Sequence, residues 1–324
     1  MKKILFVFLV CLICCLSRYN AVLANDYYVY GTWDWNGESA QDVNGIDGYG
    51  DYLVVEDGAY FYFKKVTVLD SDNDGIADPY QHPDNPDDPG PVETRVFTDV
   101  GSYYYYDDIG SYIGSSYGGA VMTAEKLYLG GDGELYAWNW SVDENGNIVL
   151  SDFVAILTDP QALTYFEDIA YDENTNTFYA LTRERDIYSF NPDEDNDWNY
   201  EFSYSGYSGW HGDGIASVNG HLYISDMTSD VIGQWDYING QWQETATFLY
   251  SNPYDVEGMG FGPNNHFWVT AWSGVFYEIG GGKLQESIEN PIPEPATVIL
   301  VGSSLLGIAF IARKNIGKNK INVN

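Results

Sequence analysis

The sequence predicts an all-β protein of propeller-like repeats, each about 45 residues long, followed by a single C-terminal transmembrane helix. Three observations predict it. Aromatic residues make up 17% of the chain, with 29 tyrosines, and such side chains suit pleated strands rather than disorder. Short apolar runs alternate with Gly, Asp and Asn turns, and no amphipathic helix is legible between the two ends. From residue 118 onward a strand pattern recurs at nearly fixed spacing.

Taken in order, Lys2-Lys3 precede an apolar run from Ile4 to Leu16, and Val22-Leu23-Ala24 offers a cleavage site before Asn25. Residues 1–24 therefore read as a secretory signal peptide. Cys11, Cys14 and Cys15 all lie inside it, so the mature chain is expected to hold no disulfide, thiolate nucleophile or cysteine metal site. Val10 before Cys11 is a poor lipobox residue.

Residues 25–110 form an N-terminal β region, with strands expected over Asp26–Trp35, Tyr52–Leu69 and Val92–Tyr106. They are irregularly spaced, and either add blades to a ring that uses both ends of the chain or stand as a cap. Within them, Asp70-Ser71-Asp72-Asn73-Asp74-Gly75-Ile76-Ala77-Asp78 places carboxylates at alternate positions around one centre, with Gly75 at the sharp turn. Oxygen-rich, flexible loops of this kind suit Ca²⁺, through Asp70, Asp72, Asp74 and Asp78. The run resembles the calcium loops of EF-hands, dockerins and thrombospondin type 3 repeats, although Gln81 stands where an EF-hand has its final acid. A structural Ca²⁺ is the expected cofactor. Residues 79–91 are a Pro- and Asp-rich excursion that cannot pair as a central strand.

Residues 111–285 carry the repeat. Phe178-Tyr179-Ala180-Leu181, Leu222-Tyr223-Ile224-Ser225 and Phe267-Trp268-Val269-Thr270 are successive central strands, each flanked by two more, and Leu127-Tyr128-Leu129 belongs to a looser earlier copy. Asn145-Gly146, Asn219-Gly220 and Asn239-Gly240 fall between strands, as two-residue hairpins require. One such unit alone leaves a sheet face uncovered, so the units must stack in a ring; coincidental spacing in a β-sandwich is the alternative. The pattern resembles loose propeller families such as NHL-like and regucalcin-like proteins.

Residues 286–295 are a linker ending in Pro293-Glu294-Pro295, residues 296–312 an uncharged run about 26 Å long as a helix, and residues 313–324 a basic tail opening with Arg313-Lys314. This order closely resembles the PEP-CTERM sorting signal of Gram-negative bacteria, with Pro293, Glu294, Pro295 and Arg313 as its elements. The resemblance implies an exosortase-type membrane transpeptidase as partner, inner-membrane anchoring before processing, and a cell-surface or extracellular destination associated with exopolysaccharide and biofilm.

Between residues 25 and 290 there are 47 Asp and Glu against 7 Lys and Arg. That surface repels nucleic acid and attracts cations, which in turn can bridge acidic polysaccharide. No serine elbow, zinc-binding helix, phosphate loop or dinucleotide turn is present, so no catalytic residue is assigned. Two further constellations remain. Glu167, Asp213 and Glu257 occupy one repeat position just before three inner strands, where a channel metal could sit in a lactonase- or esterase-like hydrolase. Trp210 and Tyr207 lie in a Gly/Ser-rich loop and could stack on sugar rings. The expected role is a non-catalytic binding or structural component, with the metal-dependent hydrolase as the alternative.

Overall fold

The structure is a computed structural model and describes residues 26–34, 43–57, 60–68, 95–104, 118–229, 231–249, 257–271 and 274–289. Five four-stranded antiparallel sheets stand as the blades of a ring. Blade 1 is β2 (Val43–Tyr49), β3 (Tyr52–Asp57), β4 (Tyr60–Val68) and β5 (Arg95–Tyr104). Blade 2 is β6 (Ala120–Met122), β7 (Lys126–Gly131), β8 (Glu134–Val142) and β9 (Ile148–Leu157). Blade 3 is β10 (Asp168–Asp172), β11 (Thr177–Leu181), β12 (Asp186–Phe190) and β13 (Asn199–Ser203). Blade 4 is β14 (Gly212–Val218), β15 (His221–Asp226), β16 (Val231–Ile238) and β17 (Gln241–Leu249).

Blade 5 closes the ring with both ends of the chain. It takes β18 (Met259–Gly262), β19 (His266–Ala271) and β20 (Val275–Gly280) from the C-terminal side, and its outer strand is β1 (Tyr28–Asp34). Trp33 faces Phe276 across that last pairing. The described residues between 26 and 104 thus do not form a separate cap: they supply one blade and the closing strand of another.

The strands form where the sequence places β-branched and aromatic residues between turn formers. Asn219-Gly220 and Asn239-Gly240 both have positive φ at each residue, as tight hairpin turns with the right twist demand. Two features escaped the sequence reading. Strand β2, Val43-Asn44-Gly45-Ile46-Asp47-Gly48-Tyr49, is too rich in Gly and Asp to register as a strand. The eight-residue helix α1 (Gly282–Glu289) corrects the expectation of no helix in this region. It was missed because it buries only short apolar contacts, chiefly Leu284 and Ile288.

Apolar packing lies between blades rather than in one central core. Five clusters correspond to the five seams, such as Trp268, Phe276, Trp33 and Phe97 between blades 5 and 1, and Phe166, Phe190 and Trp198 between blades 2 and 3. Each fully buried large side chain contributes about 1.5–3 kcal/mol. Polar staples reinforce two seams. Arg95 of blade 1 donates to Glu278 of blade 5 at 2.8 Å, and His266 Nδ1 lies 2.7 Å from the same carboxylate. Burial alone would raise the Glu278 carboxyl, but hydrogen bonds from His266 and Arg95 outweigh it and hold the group below its ordinary range. Between blades 3 and 4, Arg185 Nε and Nη2 each reach Asp226 at 3.1 Å.

The Asp70, Asp72, Asp74 and Asp78 loop, the 79–91 excursion, the sorting residues Pro293, Glu294, Pro295 and Arg313, and the 1–24 and 296–312 segments lie outside the described residues. No helix among the described residues is long and apolar enough to cross a membrane.

Candidate functional site

The inner strands β2, β6, β10, β14 and β18 surround the axis, and one repeat position sets how closely they approach. Four blades carry glycine there: Gly45, Gly119, Gly214 and Gly258. Blade 3 carries Asp168. A Cβ on Gly119 would fall 2.0 Å from Asp168 Oδ1, so the glycine leaves the space that this carboxylate fills. Asp168 Oδ2 accepts the backbone N–H groups of Ile215 in blade 4 and Met259 in blade 5, each at 3.1 Å. Its Oδ1 accepts Ile169 N–H at 2.9 Å. One carboxylate thereby ties three blades and seals the axis.

Two residues further along β2, Asp47 repeats the device. Its Oδ2 accepts Met122 N–H of blade 2 at 2.7 Å and its Oδ1 accepts Phe261 N–H of blade 5 at 3.0 Å. Burial raises both groups above the ordinary carboxylate range, Asp168 well above it and Asp47 to about 7, against the lowering effect of those N–H donors.

The plug divides the axis into two ends. At the N-terminal ends of β10, β14 and β18 stand Glu167, Asp213 and Glu257, brought together as the repeat position predicts. All three are buried, and the fields of Glu257 and Glu167 add to burial in raising the Asp213 carboxyl well above its ordinary value. Glu167 accepts the Tyr165 hydroxyl at 3.1 Å through Oε2, while its Oε1 is buried with no hydrogen-bond partner among the described residues. Burial raises Glu167 too, tempered by Tyr165 and by the nearby charges of His211 and Arg183. Their meeting is electrostatic: among the described residues no group of three His, Cys, Asp or Glu is placed to hold a metal ion.

Beside this collar, Trp210 is 76% exposed. Tyr207 of the same loop turns inward. Its hydroxyl accepts Trp235 Nε1 at 2.7 Å, its ring stacks on Tyr204, and its N–H donates to Asp226 at 2.6 Å. Tyr207 therefore belongs to the seam between blades 3 and 4, and of the pair only Trp210 offers an open ring face.

At the other end the inner strands diverge around a chamber of about 340 Å³, near the lower limit for small-ligand pockets. Asp47 lies at its floor. Val121, Met122, Ile169, Ile215 and Met259 form the walls, with Phe261 among them, and Thr123, Glu173, Asn174, Ser217 and Asn219 the rim. Sequence reasoning missed this site. Its residues are scattered over five blades, and the single available signal was Asp47, an acid in a position where the other blades carry Val121, Ala170, Ala216 and Gly260.

Helix α1 packs at the chamber end. Asn219, on the chamber rim, donates to Ile288 O at 3.1 Å, and Asp26 O accepts Leu284 N–H at 2.9 Å.

Fold and axis define a five-bladed, strand-closed β-propeller. No family model matches the chain, and no curated protein sequence is similar to it. Among solved structures, one described as the structure of U3-55K is similar at a TM-score of 0.30 and 10% identity, covering 45% of this chain and 42% of that one. So low a likeness carries no argument about function.

Proposed function

We propose that this chain is an exported cell-envelope protein whose propeller binds an extracellular polymer without transforming it. The observation that carries the binding reading is the axial chamber. Its floor carboxyl has both oxygens committed to backbone N–H groups of neighbouring blades, which makes Asp47 a fixed recognition group rather than a free base. Delivery follows the PEP-CTERM-like signal at Pro293, Glu294, Pro295 and Arg313, with an exosortase-type transpeptidase as partner and the 296–312 run as inner-membrane anchor before processing. The polymer is exopolysaccharide of the biofilm matrix, and Ca²⁺ at Asp70, Asp72, Asp74 and Asp78 orders the excursion from blade 1.

The metal-dependent hydrolase is the second reading, favoured by the mutual approach of Glu167, Asp213 and Glu257. One experiment addresses both. The full-length chain in detergent is co-sedimented with the host's exopolysaccharide in calcium and in EDTA, with released sugar measured alongside. Calcium-dependent binding without release is expected. Absence of binding in both buffers would sink the matrix reading, and release that disappears in Glu167→Gln and Asp213→Asn would establish the hydrolase.

A further inference from the structure

The chamber has a charge and wall chemistry that select its ligand. None of its lining residues, among the described ones, is Lys, Arg or His. Asp47 stands at the floor and the exposed Glu173 at the rim, and the field of Glu173 reaches Asp47. Asp172, also in the lining, is committed to its own turn, accepting Asn174 N–H at 2.9 Å and the Thr175 hydroxyl at 3.0 Å. An anion entering here meets three carboxyl groups, Asp47, Asp172 and Glu173, and no counter-charge among the described lining residues, in a chain of formal net charge −34.

A neutral apolar ligand would strip water from Asp47 and return nothing to it, which disfavours the charged carboxylate. A bare metal ion needs several oxygen ligands, and these walls are Val121, Ile169, Ile215 and Met259. A compact organic cation meets both demands. Its stem covers the apolar walls, and its N–H groups reach an oxygen pair that keeps some acceptor capacity, because a carboxylate has about four lone-pair sites and Asp47 spends three of them, on the N–H groups of Met122, Phe261 and Gly48. Met259 and Phe261 add polarisable surface for the groups next to the charge.

We propose that the chamber at the C-terminal ends of the inner strands binds a primary ammonium group carried on a short apolar stem, paired with Asp47 and drawn in by Glu173. The proposal deepens the binding reading above and rests on it. It also predicts linkage. Binding a cation favours the ionised carboxylate, so affinity rises as pH rises through the range in which Asp47 loses its proton.

The test is calorimetric titration of the full-length chain in detergent with n-butylammonium, 1-butanol, butyrate and glucamine, the last a primary amine on a hydroxylated stem. Both amines stay protonated between pH 6 and 8, so a pH effect belongs to the protein. Butylammonium is expected to bind about ten-fold tighter than butanol or butyrate, and tighter at pH 8 than at pH 6. Glu173→Gln, an exposed change that leaves the fold intact, should weaken it about three-fold, and Ser217→Trp, which fills the chamber, should abolish it. Equal binding of butanol, or Ser217→Trp without effect, would overturn the proposal. Tighter binding of glucamine would overturn the apolar stem. Failure here with polymer co-sedimentation intact removes only this assignment. Amine binding without co-sedimentation removes the polymer and keeps the site.

Discussion

The carboxylates along the axis are chemically alike and all but the half-buried Asp47 are buried, yet the two sets do opposite things to the ring. Asp168 and Asp47 each accept backbone N–H groups from neighbouring inner strands, so their burial stitches blades together. The collar acids add one another's fields to their burial: Asp213 is raised by burial first and then by Glu257 and Glu167, and Glu167, which accepts the Tyr165 hydroxyl on one oxygen, keeps the other buried without a partner among the described residues. A buried acid stabilises when donors are built around it and strains the structure when its neighbours share its sign. One end of the axis is organised for cohesion, the other holds stored repulsion.

Removing the plug should break this comparison most severely. Asp168→Ala leaves three inner-strand N–H groups without their acceptor and is expected to cost about 3 kcal/mol or more in urea unfolding. A loss no larger than that of an exposed Asp→Ala change would mean that the carboxylate does not hold the axis.

The pH profile should follow next. Asp168 and Asp47 are raised in the folded state, so the folded chain holds protons that the unfolded chain has released. Stability is then greatest on the acid side and falls as pH rises from the ordinary carboxylate range through about 7, where Asp47 ionises. Glu278 is lowered and opposes this only at more acidic pH, where its stabilisation is lost as pH falls through its depressed value. Asp47→Asn should flatten the neutral part of the profile, measured as melting temperature from pH 5 to pH 8. An unchanged slope would place the titration elsewhere.

The smallest effect carries the opposite sign. Asp213→Asn removes a like charge from the collar while keeping the side chain's shape, and should raise the melting temperature, more at pH 8 than at pH 5. A fall at both pH values would show that the collar, too, is held by donors.

Much of the ring was legible in advance because its information is local. Central strands such as Phe178–Leu181 and Leu222–Ser225 announce themselves by apolar pattern, and Asn219-Gly220 by the positive φ its turn needs. Glu167, Asp213 and Glu257 were found because a repeat position maps onto a radial position. Tyr207 and Trp210 were indistinguishable as aromatic residues in one loop, and it is Gly233 that separates them. A Cβ there would sit 1.7 Å from the Tyr207 hydroxyl, so Tyr207 fills the gap this glycine leaves in the next blade.

The sequence by itself determined the strand class, the repeat, the acidity of residues 25–290 and the candidate signals near its two ends, since each is written in neighbouring residues. Only the tertiary structure decided the blade number, the closure of blade 5 by β1 and the sealing of the axis by Asp168. It also decided that Asp47 is the floor of a chamber. Those outcomes depend on which distant backbone N–H groups and glycines meet a given carboxylate, as Met259 and Gly119 meet Asp168, and no local pattern encodes that meeting.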